Sequence, residues 1–371
     1  MKILVFPFLL IVVISLDKLY AQCNDSIRKM DSLNCSKFEI GVYVDAYYSY
    51  DFNQPKNNLN PYLVSSNRHN ELSINLALID FKFQTERFHA RIAPGFGTYM
   101  QSNYASEPKG LNSIFESSFG FKLFKNKGHW LDLGVFNSPI SNESPVSKDH
   151  FLYTRSLSSE YVPYYLAGIK STWKLSEKLN FYAYLVNGWQ QIKDQNKSKS
   201  VITQFEYKPK EEHLINWNVY LGNERSQLTP SFKNRYFTDV YWVFKPSKKF
   251  NLISTFYVGF QEKIDSFNHK NVSNWWQFNT AVKYSLNPKH SIAARIEYFN
   301  DSQNIVVSNL NQNKPFSVVS SGLCYNFQPN EHSMFRLDAR YFDSKDILFT
   351  NQKITDSKTN FMLTANITVW F

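Results

Sequence analysis

The chain has 371 residues and a formal net charge of +10, and aromatic side chains make up 17% of it. Its mean hydropathy is nevertheless negative, at −0.40. A soluble domain burying that many rings would read as more apolar, whereas a sheet with lipid on one face and water on the other would not. Past residue 21 no apolar run approaches the roughly 20 residues of a membrane-spanning helix, and no basic run of the nucleic-acid-binding kind occurs.

The first residues read as an export signal. Lys2 supplies the positive start, Ile3 to Leu16 the apolar stretch, and Leu19-Tyr20-Ala21 a small-residue cleavage site. Removing residues 1–21 would take away Lys2, Lys18 and Asp17 and lower the charge by one. Cys23 as an acylated residue is the alternative, but Gln22 before it fits that use poorly. Residues 22–37 form a polar lead on the periplasmic side, in which Cys23 and Cys35 could bridge in an oxidising compartment; Cys324 is the third cysteine.

From 38 to 371 the pattern has period two. In the first segment Ile40, Val42, Val44, Ala46, Tyr48 and Tyr50 alternate with Glu39, Gly41, Tyr43, Asp45, Tyr47 and Ser49. Leu72, Ile74, Leu76 and Leu78 are expected on one face of the second segment, against Ser73 and Asn75. The predicted strands are 38–52, 70–83, 87–100, 112–125, 129–137, 161–175, 178–190, 199–208, 212–223, 234–246, 249–262, 272–286, 289–301, 314–328, 331–343 and 358–371. Tight turns such as Gln84-Thr85-Glu86, Asn287-Pro288 and Pro329-Asn330 alternate with longer polar loops such as 53–69, 101–111, 302–313 and 344–357. That rhythm, with an even strand number, predicts an all-β transmembrane antiparallel up-and-down barrel of about sixteen strands, with short periplasmic turns and long extracellular loops. The last strand places Phe361, Leu363, Ala365, Ile367, Val369 and Phe371 on one face, and an apolar alternating strand ending in Phe371 resembles the signal read by the barrel-insertion machinery.

Gly134-Val135-Phe136-Asn137-Ser138-Pro139-Ile140 followed by Glu143, Tyr153-Thr154-Arg155-Ser156-Leu157 and Asn187-Gly188-Trp189-Gln190 resemble stretches of the OmpL-like family of β-barrel porins found in Bacteroidetes. The resemblance implies an outer-membrane channel and names no solute. Where the family carries Gly after the Ser-Pro-Ile run, this chain carries Ser141.

The longest predicted connection, 138–160, lies between the fifth and sixth strands, and in sixteen-stranded general porins the loop at that position folds into the lumen. By that analogy Glu143, Lys148, Asp149, His150, Arg155 and Glu160 are candidates for a pore constriction; alternatively the loop caps the outer surface and its charges are solvated. Lumen-wall candidates are Arg91, Lys122, Lys170, Arg235, Lys283, Arg295, Arg336, Asp338 and Arg340, because charge on the lipid face is costly. Trp130, Trp173, Trp242, Trp276 and Trp370 suit interfacial girdles. No phosphate-binding Gly-rich loop, His-Glu-x-x-His or clustered catalytic set is present, so neither an enzyme nor a cofactor or metal is expected. The expected function is passive diffusion of small polar or charged solutes through a water-filled pore in the outer membrane of a Gram-negative bacterium. The alternative is a nonconducting barrel whose long loops bind a ligand. Expected partners are outer-membrane lipid and lipopolysaccharide, the insertion machinery during biogenesis and the solutes; a homo-oligomer is compatible with all of this.

Overall fold

The structure is a computed structural model that describes residues 36–125, 127–265, 267–307, 314–349 and 357–371. The predicted export signal, most of the predicted polar lead, and Cys23 and Cys35 lie outside the described residues. The strands are β1 Lys37–Asp51, β2 Leu72–Gln84, β3 Phe88–Phe96, β4 Ile114–Lys122, β5 His129–Asn137, β6 Tyr165–Lys174, β7 Leu179–Val186 and β8 Ser200–Tyr207. They continue as β9 His213–Asn223, β10 Phe232–Phe244, β11 Phe250–Ile264, β12 Lys270–Ser285, β13 His290–Asp301, β14 Phe316–Asn330, β15 Ser333–Ser344 and β16 Thr359–Trp370.

Each strand pairs antiparallel with its neighbours in sequence, and β1 pairs with β16 from Tyr43↔Trp370 to Asp51↔Met362, which closes the sheet. A closed sheet leaves no edge with unpaired backbone, the requirement for a sheet that meets hydrocarbon. The chain enters at Lys37 and leaves after Trp370 at the end that carries the short turns 85–87, 123–128, 175–178, 208–212, 245–249, 286–289 and 331–332. The opposite end carries the long loops.

Side chains separate as the period-two pattern predicts over most of the wall. Phe335, Leu337 and Tyr341 of β15 are exposed on the outside, whereas Arg336, Asp338 and Arg340 between them are buried within. Phe361, Ile367 and Phe371 face out, and Asn360, Thr364, Asn366 and Thr368 face in. Trp173, Trp242 and Trp276 fall on the outward phase of their strands. Trp130 and Trp370 turn inward instead, where Trp130 meets His89 and Trp370 packs beside the Tyr43 cluster.

Two local departures matter for the interior. The β1–β2 register shifts between Asp45 and Ala46, so the bulge falls at Asn75 and the strand changes phase. Leu72 and Ile74 stay outside, but Leu76 and Leu78 become buried lumen residues rather than lipid-facing ones. The second departure corrects the predicted third strand. It ends at Phe96, and Gly97, at φ +121, turns the chain into a helix at Thr98–Asn103. A Cβ at Gly97 would run into the Asn75 and Ile74 carbonyls, so only glycine allows the chain to pass there. That turn delivers Tyr99, Met100 and Tyr104 onto Leu76 and Leu78, so the phase change and the helix bury each other's apolar surface.

The lipid-facing assignment of Leu337 makes a direct prediction. Leu337→Arg should destabilise the folded barrel by about 2–4 kcal/mol in lipid, since a charge on the outer face near the midplane costs that much. Denaturant unfolding in liposomes measures it; a change below about 0.5 kcal/mol would mean that this face does not meet hydrocarbon.

Candidate functional site

The connection 138–164 leaves β5, crosses the lumen and returns to β6. It does so as a buried loop, so its backbone polar groups need partners from the barrel wall. Asn218 Nδ2 donates to Pro139 O at 3.1 Å, and Ser141 N donates to Asp239 Oδ2 at 2.9 Å. Tyr43 OH accepts from Ser147 N at 2.9 Å, and Arg336 donates to Ser147 O at 2.6 Å and to Ser147 Oγ at 2.8 Å. Asn326 donates to Phe151 O at 3.1 Å. Asp338 accepts from Thr154 N at 2.8 Å, Arg295 donates to Thr154 O at 2.8 Å, and Arg340 donates to Arg155 O. Glu297 accepts from Leu157 N at 2.8 Å and from Arg340 Nη2 at 2.5 Å. The charges of β13 and β15 thus serve as fasteners for loop backbone.

The apolar part of the loop has a matching seat. Phe151 and Leu152 pack on Ala281, Ala293 and Cys324, small side chains on three successive strands, and Gly322 leaves space for Leu152. Ser141 adopts φ +66, the left-handed conformation that a glycine takes without strain, and its Oγ lies 2.9 Å from Ser159 Oγ and 3.2 Å from Ser158 Oγ. These contacts and the bond to Asp239 offset a conformational cost of about 1 kcal/mol.

The residues singled out for a constriction are distributed as follows. Glu143 accepts from Ser156 N at 2.7 Å and Ser156 Oγ at 2.6 Å, with Arg295 at 3.4 Å. His150 donates through Nε2 to Ser144 O at 2.8 Å in the neutral form, and its Nδ1 has no partner. Arg155 lies over the rings of Tyr99 and Tyr164 and donates to Ser144 O, Pro145 O and Ser65 Oγ. Glu160 accepts from Val64 N at 2.8 Å and Ser65 N at 3.1 Å, which ties the first long loop to this one. All four are buried or half-buried and held by protein partners. Lys148 sits over the Trp370 ring, and Asp149 is exposed.

Of the wall candidates, Arg295, Arg336, Asp338 and Arg340 hold the loop. Lys283 is half-buried over the Phe151 ring, and Lys122 is half-buried on β4. Arg91 pairs with Asp80 at 2.8 Å and Glu116 at 2.5 Å, and Lys170 with Asp132 at 3.4 Å. Arg91, Glu116, Asp132 and Lys170, together with Lys37, Glu39, Lys82 and His89, line a polar cavity of about 210 Å³ at the short-turn end. Arg235 is buried on β10 beside Trp189 and Trp275.

The sequence reading missed an apolar layer inside the barrel. Inward side chains of β5 to β16, from Phe136, Leu166, Tyr184 and Ile202 through Tyr220, Phe237, Tyr257 and Trp275 to Phe299, Phe316, Phe342 and Met362, are buried against Ile140, Leu157, Val162, Leu63, Ile305 and Phe349 of the loops. Trp189 wedges among Tyr220, Phe237 and Trp275. Above this layer lies a cavity of about 540 Å³, lined by Asn60, Tyr62, Asn67, Glu160, Tyr161, Trp189, Gln190, Arg235 and Ile305 among others. Leu63, Val162, Ile305, Tyr62, Tyr161 and Trp189 of this cluster also line the outer cavity.

Among the described residues no group of three or more His, Cys, Asp or Glu is placed to hold a metal ion.

Acid should loosen the loop. Burial drives His150 down to about 3, with Arg155 and Arg336 acting in the same sense against Glu143. Burial would raise Glu143, but Arg295 leads the charges and donors that bring it down to about 2. A released His150 titrates near 6.5, so the packed loop loses stability as pH falls from about 6.5 towards 3; Glu143 acts in the same direction from about 4.5 towards 2. Hydrogen exchange of 141–157, corrected for intrinsic rates, should therefore be faster at about pH 5 than at about pH 7.5, and His150→Gln should flatten the difference. Equal protection at both values would refute the assignment.

The family described as "Putative beta-barrel porin-2, OmpL-like" matches residues 37–371. No curated protein matches the chain. Among solved structures, the outer-membrane channel DcaP of Acinetobacter baumannii superposes with a TM-score of 0.61 at 12% identity, covering 92% of this chain and 100% of that one. OmpF of Salmonella typhi, in complex with daunomycin, gives 0.60 at 11% over 91% and 98%. The anion-selective porin from Comamonas acidovorans gives 0.60 at 7% over 91% and 100%. At such identities the likeness is one of fold.

Proposed function

Because the chain belongs to the OmpL-like β-barrel porin family, we propose that it is an outer-membrane channel for small polar solutes whose resting lumen is closed by the inward loop. The observation that carries this reading is the pairing of a polar, half-exposed short-turn lumen with an apolar layer directly above it. Apolar constrictions gate by excluding water, and the loop that completes this one is held by side-chain hydrogen bonds that can be exchanged for water.

The nonconducting alternative also has an observation behind it: the loop packs solidly, with Leu152, Leu157, Ser158 and Ser159 fully buried. The two readings part in a planar bilayer. Under the channel reading the intact protein gives small or infrequent openings, and replacing 142–156 by a short linker, or Arg295 by Met, raises the mean conductance several-fold. Silence from the intact protein and from both correctly folded variants would favour the ligand-binding barrel. Wide, steady conductance from the intact protein would show that the loop does not close the lumen.

A further inference from the structure

The inward-facing arginines of the barrel share a habit. Arg91 meets two carboxylates, Arg295 meets Glu143, Glu297 and the Thr154 carbonyl, and Arg340 meets Glu297, Ser320 and the Arg155 carbonyl. Arg336 donates to Asn366, Ser147 and Thr368, and Arg155 to Ser144 O, Pro145 O and Ser65. Arg235 breaks the habit. It is only 5% exposed and, like Arg155 and Arg336, has no carboxylate within ion-pair reach among the described residues, but where they have three or more hydrogen bonds it has one there, from Nε to Gln261 Oε1 at 2.9 Å. The carboxylates that act on it from farther away are engaged elsewhere: Glu224 accepts from Tyr220 OH, and Asp301 accepts from the backbone N–H groups of Ile305, Val306 and Val307.

Its position is fixed nonetheless. The guanidinium lies 4.8 Å from the Trp189 ring centroid and 5.3 Å from that of Trp275. Gln261 is itself held through Nε2, whose two hydrogens are shared among the carbonyls of Lys233, Asn234 and Glu262. Gly259 stands opposite Trp275 in the ladder, where any larger side chain would collide with the indole. A cation held between two indoles, with no protein acceptor for its terminal nitrogens among the described residues, costs free energy to bury unless water or an anion completes it. Arg235 lines the 540 Å³ outer cavity.

The same cavity supplies acceptors without donors. Asn60 Oδ1, Asn67 Oδ1 and Glu160 Oε1 are buried and unpartnered, and all three residues line it. The Asn60 amide is oriented by its nitrogen, which donates to Ser66 O at 2.9 Å, and Asn67 Nδ2 donates to Ser102 Oγ at 2.9 Å. Unsatisfied buried acceptors call for hydroxyl or N–H donors. Burial pushes the Glu160 carboxyl above its usual range, against Arg155 and the two backbone N–H groups on its other oxygen, which lessens the negative charge an anion at Arg235 would meet.

We propose that the outer cavity binds a small hydroxylated carboxylate, of the size and chemistry of a sugar acid, with the carboxylate on Arg235 and the hydroxyls turned to the Asn60, Asn67 and Glu160 oxygens. The volume falls within the range of small-molecule sites, and a bidentate guanidinium–carboxylate pair gives orientation as well as affinity. This deepens the channel reading, and depends on it only for the site's use as an entry point; binding itself can be measured without transport.

The experiment is calorimetric titration of the full-length barrel in detergent with D-galacturonate, D-galactose and acetate. Galacturonate should bind at least about tenfold more tightly than either of the others, one probe lacking the charge and the other the hydroxyls. Arg235→Gln should cut galacturonate affinity by about tenfold or more and leave galactose unchanged. If that wall variant does not fold, Trp189→Ala, in a loop, should weaken galacturonate alone by removing one side of the sandwich. Equal affinity for galacturonate and galactose, acetate binding as tightly as galacturonate (an adventitious ion only), no heat from any probe, or unchanged binding by the folded variants would each overturn the proposal. Binding without conductance would leave the site standing and remove the channel; conductance without binding would do the reverse.

Discussion

The constraint behind the whole architecture is that a polypeptide segment taken out of water must find partners for every N–H and C=O it carries. The barrel meets it first by closing β1 on β16, so that no strand edge is left open. The lumen meets it a second time. A loop of 27 residues' span, 138–164, runs through the interior without regular structure of its own apart from single helical turns, and the wall has to supply what a sheet partner otherwise would. Arg295, Arg336, Asp338, Arg340, Glu297 and Asn326 do so by bonding loop carbonyls and amides. Arginine suits this task because its planar fork serves two or three acceptors at once, where a lysine would offer a mobile point charge.

That explains which parts of the molecule were legible in the chain. Strand positions and their order follow from alternation and turn rhythm, both local signals, and Arg336, Asp338 and Arg340 could be placed inward from Phe335, Leu337 and Tyr341 beside them. What those charges touch is not local. Arg336 finds Ser147 across 189 positions of sequence, and alternation is silent about such partners. The Asn75 bulge is equally hidden, since Leu72, Ile74, Leu76 and Leu78 keep perfect period two through a register shift. The shift becomes intelligible only with Tyr99 and Met100 in place to receive Leu76 and Leu78.

One signal for the apolar layer was present in the sequence. Near the long-loop ends of the strands aromatic residues stand side by side: Tyr236-Phe237, Phe256-Tyr257, Trp275-Trp276, Tyr298-Phe299 and Tyr341-Phe342. In a period-two segment adjacent rings must point to opposite faces. One of each pair therefore has to be inside, and Phe237, Tyr257, Trp275, Phe299 and Phe342 are the members buried there. A lumen filled with water along its whole length would have no use for five such rings at one level. The run Phe151-Leu152-Tyr153 inside a nominally polar loop carries the same message.

The distribution of charge limits what the net value of +10 can do. Much of the lysine excess sits in the short turns, at Lys125 and Lys127, Lys208 and Lys210, Lys245, Lys248, Lys249 and Lys289. Those side chains form a basic rim at one mouth. Exposed charges act over a Debye length of about 8 Å in physiological salt, so the rim can raise local anion concentration without choosing between anions. Discrimination needs charges held in a fixed, desolvated geometry, and inside this barrel nearly all such charges already answer to protein partners. Arg91 and Lys170 answer to Asp80, Glu116 and Asp132; the arginines of β13 and β15 answer to the loop. Selectivity in such a barrel is therefore a property of the few interior groups left over by its own packing, and net charge is a poor guide to it.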